Sequence, residues 1–137
     1  LLGIAEASRD LAVAYAQVRQ QFGKPIGAFQ AIKHHCANMA ITAESLSALL
    51  DMAAIAARDG RDDSAFQIAA LRLLAPKAAL ANARTCIQIY CGVGFSAEAD
   101  PHHYLKHAHL LRQLGSGACI LDLPAPLAPH KTLDERN

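Results

Sequence analysis

The sequence predicts an all-α fold: an antiparallel up-down four-helix bundle over residues 1–115, followed by a proline-containing C-terminal tail over 116–137. Three observations lead there. Apolar residues recur at steps of three and four through four separate segments, the period of one helical face. Short stretches carrying Gly, Pro, Asp and Ser divide those segments, and these are the residues that stop and restart helices. The 137 residues amount to one domain, large enough to bury a core without staples, because a chain near that size hides about two thirds of its unfolded surface.

The first segment sets Ile4, Ala7, Leu11, Tyr15 and Val18 on one face and predicts a helix to about Arg19. No capping residue precedes Leu1 and the pattern is already in phase there, so the chain is expected to begin inside a helix. In the second segment Ile32, Cys36, Met39, Ala43, Leu46, Leu50, Ala53 and Ala57 form a narrow seam, with Lys33, Asn38, Glu44 and Asp51 off it. Such a seam suits near-antiparallel helix packing. Gly60 supplies the stop, and Asp62, Asp63 and Ser64 are candidate caps for a restart. Phe66, Leu73, Leu80 and Ile87 then repeat every seven residues, with many alanines between them that let neighbouring backbones approach. Pro76 falls inside this third helix, where it removes one backbone donor and crowds the carbonyl of Arg72, so a bend is expected there. Asp100-Pro101 opens the fourth helix, whose face carries Tyr104, Ala108 and Leu111. Beyond Gly115 the pattern fails and prolines recur, as in an extended, partly frayed tail.

Charge excludes some functions. With Lys+Arg 13 against Asp+Glu 12 and a net charge of +1, the chain offers no basic field for nucleic acid and no polybasic run for an anionic membrane. Its apolar runs are broken every few residues by polar or charged side chains, and no signal peptide opens it; we expect a soluble, cytoplasmic protein. Cys36, Cys86, Cys91 and Cys119 show no CxxC spacing and are expected to be small reduced hydrophobes.

Two stretches are too specialised for plain interhelical turns: "VRQQFGKPIGAFQAIKHH" (18–35) and "CIQIYCGVGFSAEADPHHYLKHAHLLRQLG" (86–115). Gly92-Val93-Gly94-Phe95-Ser96-Ala97 matches GxGxxA. A dinucleotide-binding turn, however, needs a preceding strand, a helix opening on its last position and an acid about 20 residues on, and here a helical heptad leads in. His103 and His107 share one helical face, yet no HExxH pattern or third ligand at fixed spacing accompanies them, and we assign no metal site. The two stretches taken together read better. Arg19 carries a fork suited to pyrophosphate, Phe22 a flat apolar ring, Gln30 and Gln88 amides that read a base or ribose edge, and Gly92 and Gly94 bare backbone that an anion can approach. These are the parts of a nucleotide-cofactor clamp.

"RQQFGKPIGAFQAIKHHCANMA" resembles the R-x-x-F-G-x-x-[IL]-x-x-[FH]-Q signature of the acyl-CoA dehydrogenase family, and "QIYCGVGFSAEADPHHYLKHA" resembles its Q-I-x-G-G-x-G-[FY] signature. The resemblance runs over about residues 1–115, with both signatures in the family's order and separation. It implies the C-terminal four-helix bundle of a three-part flavoprotein, a bundle that carries the oligomer interface. FAD would then lie between subunits, homo-oligomeric or related heteromeric, with acyl-CoA as substrate of the full-length enzyme and an electron acceptor the sequence does not name. Carried over by position, Arg19 meets the pyrophosphate, Phe22 and Gln30 line the adenosine end, and Gln88 with the backbone near Gly92 holds the cofactor from the other side. The implied reaction is α,β-dehydrogenation of an acyl thioester, and the isolated domain is expected to be inactive.

The sequence departs from the family pattern in three places. Gly115 stands where many members carry the catalytic glutamate of a Y-E-G-T-S-E-type motif, and glycine cannot abstract a proton, so no catalytic residue is assigned in this chain. Cys91 replaces a glycine and Ala97 a large aromatic. A non-catalytic bundle that only mediates oligomerisation is therefore the alternative reading.

Overall fold

A computed structural model describes residues 1–114; the tail over 116–137, Gly115 and Cys119 lie outside the described residues. Four helices run α1 Leu2–Val18, α2 Gln30–Arg58, α3 Ser64–Tyr90 and α4 Pro101–Leu114. A two-stranded hairpin, β1 Gln20–Gln21 with β2 Lys24–Pro25, and a 3-10 turn at Ile26–Ala28 join α1 to α2, and a second 3-10 turn at Cys91–Phe95 follows α3. Each helix runs antiparallel to the next. Ala12, Met39, Cys86 and Ile89 share one core cluster, and Ala5, Ala43, Leu46 and Ala75 share another, so residue order reverses from each of the first three helices to the next. Helix α3 lies against all three others, which gives the expected up-down bundle.

The buried line of α1 is Ala5, Ser8, Ala12 and Ala16, one position away from the expected face of Ile4, Ala7, Leu11, Tyr15 and Val18. Ile4, Ala7, Leu11 and Tyr15 are half-buried and Val18 is 74% exposed. Size explains the shift. The smallest residues occupy the line of closest approach, where they let backbones come together, and the larger side chains fill the grooves on either side. That close approach brings the Ala5 and Met39 carbonyls within reach of one buried amide: Asn82 Nδ2 donates to both at 3.0 Å, tying three helices together. Each bond contributes about 1 kcal/mol, and losing both would leave two buried carbonyls short of a partner.

Along α2 the expected seam is buried at Met39, Ala43, Leu46 and Ala53, but Leu50 and Ala57 are exposed, and on α3 so are Phe66 and Leu73. Helix α2 has 29 residues and α1 17, a difference of 12 residues or about 18 Å of helix. Within residues 1–114 the α2–α3 hairpin extends past the level of Leu1, and the inward side chains beyond it have no neighbour on α1. Helix α2 also has the length and apolarity of a membrane span, with a mean hydropathy of 1.4, although only 28% of that window is buried.

The helix boundaries follow local chemistry. Gly60, at φ +63°, ends α2 in a Schellman motif: Arg61 N donates to the Ala56 carbonyl at 3.0 Å and Gly60 N to that of Ala57 at 3.4 Å. Asp63 takes the N-cap position of α3, yet its carboxylate accepts from Arg61 Nε and Nη2, both at 2.8 Å, and from Gln67 Nε2 at 3.2 Å, and not from backbone N–H groups of the helix. That guanidinium pulls the Asp63 pKa below its ordinary value. Helix α3 is continuous through Pro76.

Candidate functional site at the hairpin end of the bundle

Up-down order places the end of α1, the start of α2, the end of α3 and the start of α4 at one end, and all five candidate residues are there. Arg19 follows α1 in extended conformation; its N–H donates to the Tyr15 carbonyl at 2.9 Å, and its own carbonyl accepts from Ile26 N at 2.8 Å, which closes the hairpin. Phe22 and Gly23 form the two-residue tip, with φ of +54° and +77°. Positive φ at both tip positions is the turn that matches the natural twist of two short strands. The tip holds Phe22 90% exposed. Gln30 opens α2, and Gln88 sits two residues before the end of α3 with its side chain outward.

The hairpin is braced from within. Phe22 meets the edge of Phe29 at 6.1 Å between centroids and 84° between planes, and Lys24 Nζ lies 4.4 Å over the Phe29 ring. Lys24 is thus engaged inside the loop, while the Arg19, Gln30 and Gln88 side chains make no hydrogen bond or ion pair to any described residue.

The two stretches are joined through a ring pair that the sequence reading did not single out. Tyr15, one turn before Arg19, stacks on Tyr90, two residues after Gln88, with centroids 3.9 Å apart and planes 18° from parallel. Below it lie Ala12, Met39, Cys86 and Ile89, with Ile26, Ile32 and Cys36 packed around them. Burial raises the pKa of Tyr90 and pushes that of Cys86 up to about 12, helped by neighbouring Cys36, so both side chains stay neutral at ordinary pH. A spacing of four before Arg19 and two after Gln88 was the available signal, but periodicity assigned Tyr15 to the core face and left Tyr90 unremarked.

The turn after α3 holds two different glycines. A Cβ on Gly94 would lie 2.9 Å from the Ile87 carbonyl oxygen and 2.9 Å from Tyr90 Cβ, so only glycine fits. A Cβ on Gly92 would meet nothing within 4 Å, and its φ lies outside the left-handed region. Between α3 and this turn Cys91 adopts φ +54°, ψ −139°, a conformation natural to glycine. Cys86–Tyr90 is helical, so the strand that a GxGxxA dinucleotide turn requires is absent here. On α4 the His102 and His103 rings lie 4.0 Å apart and His102 Nδ1 is 2.7 Å from the Ala99 carbonyl; no cluster of three or more candidate metal ligands occurs among the described residues.

The hairpin end therefore presents a guanidinium and two amides with no partner among the described residues, an exposed ring and an uncrowded glycine backbone. Comparison with known proteins gives the chain a family. Residues 1–118 match the family model for the acyl-CoA dehydrogenase C-terminal domain. The chain is 47% identical over 111 residues to acyl-CoA dehydrogenase FadE34 of Mycobacterium tuberculosis, covering 78% of this chain and 15% of that protein. It is 37% identical over 109 residues to the short-chain specific mitochondrial acyl-CoA dehydrogenase of Rattus norvegicus, covering 80% and 26%. Among solved structures it resembles butyryl-CoA dehydrogenase from Megasphaera elsdenii, with a TM-score of 0.77, 29% identity and coverage of 83% and 31%. A Mycobacterium smegmatis glutaryl-CoA dehydrogenase in complex with FADH2 gives 0.75, 26%, and coverage of 83% and 29%. The chain thus spans about a third or less of the length of these proteins. It belongs to the acyl-CoA dehydrogenase family, as the family's C-terminal helical domain.

Proposed function

We propose that this domain serves an FAD-dependent acyl-CoA dehydrogenase by gripping, with its hairpin end, the adenosine-diphosphate half of a cofactor seated in an adjoining subunit. One observation carries the reading. The Tyr15–Tyr90 stack brings two sequence-distant stretches to one end of the bundle, and there the Arg19, Gln30 and Gln88 side chains have no hydrogen-bond or ion-pair partner among the described residues. Polar groups held outward on a braced scaffold, with no internal contact to satisfy, are suited to an external ligand.

The donor set fits a dinucleotide. Arg19 would pair with pyrophosphate oxygens, Phe22 and Gln30 would line the adenosine, and Gln88 with the Gly92 backbone would hold the opposite side. When bound, FAD would supply the hydride acceptor for α,β-dehydrogenation of an acyl thioester. This domain's part would be to bind and orient; the proton-abstracting base would come from elsewhere in the enzyme, because glycine occupies position 115.

In the full-length protein, Arg19→Ala is expected to lower flavin occupancy by removing a charge-assisted contact worth about 1.5–3 kcal/mol, with the fold intact by circular dichroism. Unchanged flavin absorbance after dialysis would remove Arg19 from the role. The same glycine at position 115 favours a second reading, a non-catalytic subunit that supplies cofactor contacts or assembly alone. Reconstituted full-length protein that binds flavin but leaves it oxidised with every acyl-CoA offered would support that reading.

A further inference from the structure

Residues 11–43 contain no Asp or Glu, and neither do residues 64–97. The first stretch holds the end of α1, the hairpin and the first half of α2; the second holds α3 and the turn that follows it. Acids return only at Glu98 and Asp100, just before α4. The fixed positive charges of the first stretch are Arg19, Lys24 and Lys33, and none of them has an ion pair among the described residues. A cationic surface kept clear of acids raises the local concentration of anionic ligands.

The register of the hairpin sets two of these cations side by side. Ile26 N donates to the Arg19 carbonyl at 2.8 Å, Gln20 pairs with Pro25, and Gln21 pairs with Lys24. Side chains alternate along a strand, so Arg19 and Gln21 share one face of the ribbon, and Lys24, opposite Gln21, shares that face with them. Lys24 is therefore the diagonal neighbour of Arg19, with Cβ atoms about 7 Å apart. The two-residue tip, Phe22 and Gly23 at positive φ, fixes this register.

Charge balance gives the pair a use. A pyrophosphate diester carries two negative charges, and Arg19 can neutralise one of them. Lys24 is exposed, and its Nζ lies 4.4 Å over the Phe29 ring. That contact is weak at an exposed site, and a phosphate oxygen would replace it with a charge-assisted hydrogen bond. The flexible lysine stem lets Nζ leave the ring without moving the hairpin. We infer that Lys24 is a second phosphate-binding residue, held on Phe29 until a diphosphate ligand arrives and then bonded to the phosphate that Arg19 leaves unpaired. The inference rests on the reading of this end as a grip on a dinucleotide, and it adds a residue and a preference for diphosphate over the bare nucleoside.

The test is calorimetric titration of the full-length apoprotein with adenosine diphosphate and, separately, with adenosine. Lys24→Met should weaken the diphosphate about tenfold at low salt, leave adenosine within about twofold, and lose its effect at high salt; Lys24→Arg should restore the diphosphate. Phe29→Leu keeps the charge but removes the ring that steadies Phe22, so it should weaken both probes by the same factor. Equal loss of both probes in Lys24→Met would make the lysine a brace of the loop and overturn the inference, as would no loss of either. An equal loss of the diphosphate in Lys33→Met would overturn it too, by assigning the effect to net charge. Arg19→Ala separates this inference from the reading beneath it. If Arg19→Ala weakens the diphosphate and Lys24→Met does not, the dinucleotide site stands and the second cation falls. If the parent protein binds neither probe, both fall together.

Discussion

The two connections at the hairpin end do the same work by different means. The loop from Arg19 to Phe29 is built outward: a hairpin closed by Ile26 N to the Arg19 carbonyl, its tip ring steadied by Phe29, its lysine drawn back over the same ring. The turn from Cys91 to Phe95 is built inward, with Gly94 buried against Ile87 and Tyr90 and Cys91 forced into a glycine-like backbone. Each loop contains a non-glycine residue at positive φ, Phe22 in one and Cys91 in the other. Phe22 sits in a turn type whose geometry calls for that conformation, whereas ψ −139° at Cys91 lies in a region that a Cβ disfavours. The comparison teaches that loop glycines and their replacements divide by whether the chain's own packing requires them.

The largest expected effect is Gly94→Ala. Its new Cβ would press on a backbone carbonyl and on a Cβ, neither of which can rotate away, so the end of α3 or the turn must move. We expect a loss of about 2–3 kcal/mol, read as a lower urea midpoint at an unchanged slope. Because Tyr90 is one of the two contacts, the near-ultraviolet signal of the Tyr15–Tyr90 stack should weaken as well. A stability within 0.5 kcal/mol of the parent would mean that the turn is not built inward.

The second effect has the opposite sign. Cys91→Gly should relieve a backbone strain of about 1–3 kcal/mol and give back part of it as unfolded-state entropy, for a net gain near 1 kcal/mol. The thiol's contacts to the Gln88 and Ile89 carbonyls, at 3.4 and 3.9 Å, are too weak to offset this. A thermal midpoint that falls on substitution would show that Cys91 contributes something its geometry does not reveal.

How far these features could be read from the sequence differs between bundle and loops. Helix number, order and antiparallel packing were legible because apolar spacing records which faces meet, and Gly60 and Pro101 mark boundaries where the chain stops or starts a helix. The buried line of α1 was misjudged by one residue because spacing weighs large apolar side chains, while closest approach selects Ala5, Ser8, Ala12 and Ala16. Exposure of Leu50 and Phe66 within residues 1–114 was not legible because periodicity records the direction a side chain takes and not what lies in that direction. At the site, residue types and the family signatures pointed to Arg19, Phe22, Gln30, Gln88 and Gly92, and the structure places all five at one end. The Tyr15–Tyr90 stack went unseen because nothing local in either stretch states that they touch.

The smallest effect on stability, and the sharpest on the comparison, belongs to Gly92→Ala. With open space around the new Cβ and no left-handed φ to strain it, the substitution should change stability by less than about 0.5 kcal/mol. If glycine stands there only to serve the turn, flavin retention in the full-length protein should be equally indifferent. If the bare backbone receives a cofactor from a neighbouring subunit, the methyl group occupies the space the cofactor needs, and flavin should be lost on dialysis from a protein as stable as its parent. Gly94→Ala would fail both measurements and Cys91→Gly neither, so the three substitutions together separate glycines that shape the chain from one that receives a ligand. Retained flavin in Gly92→Ala would move the cofactor contact away from this turn and leave Arg19, Phe22, Gln30 and Gln88 as its remaining support.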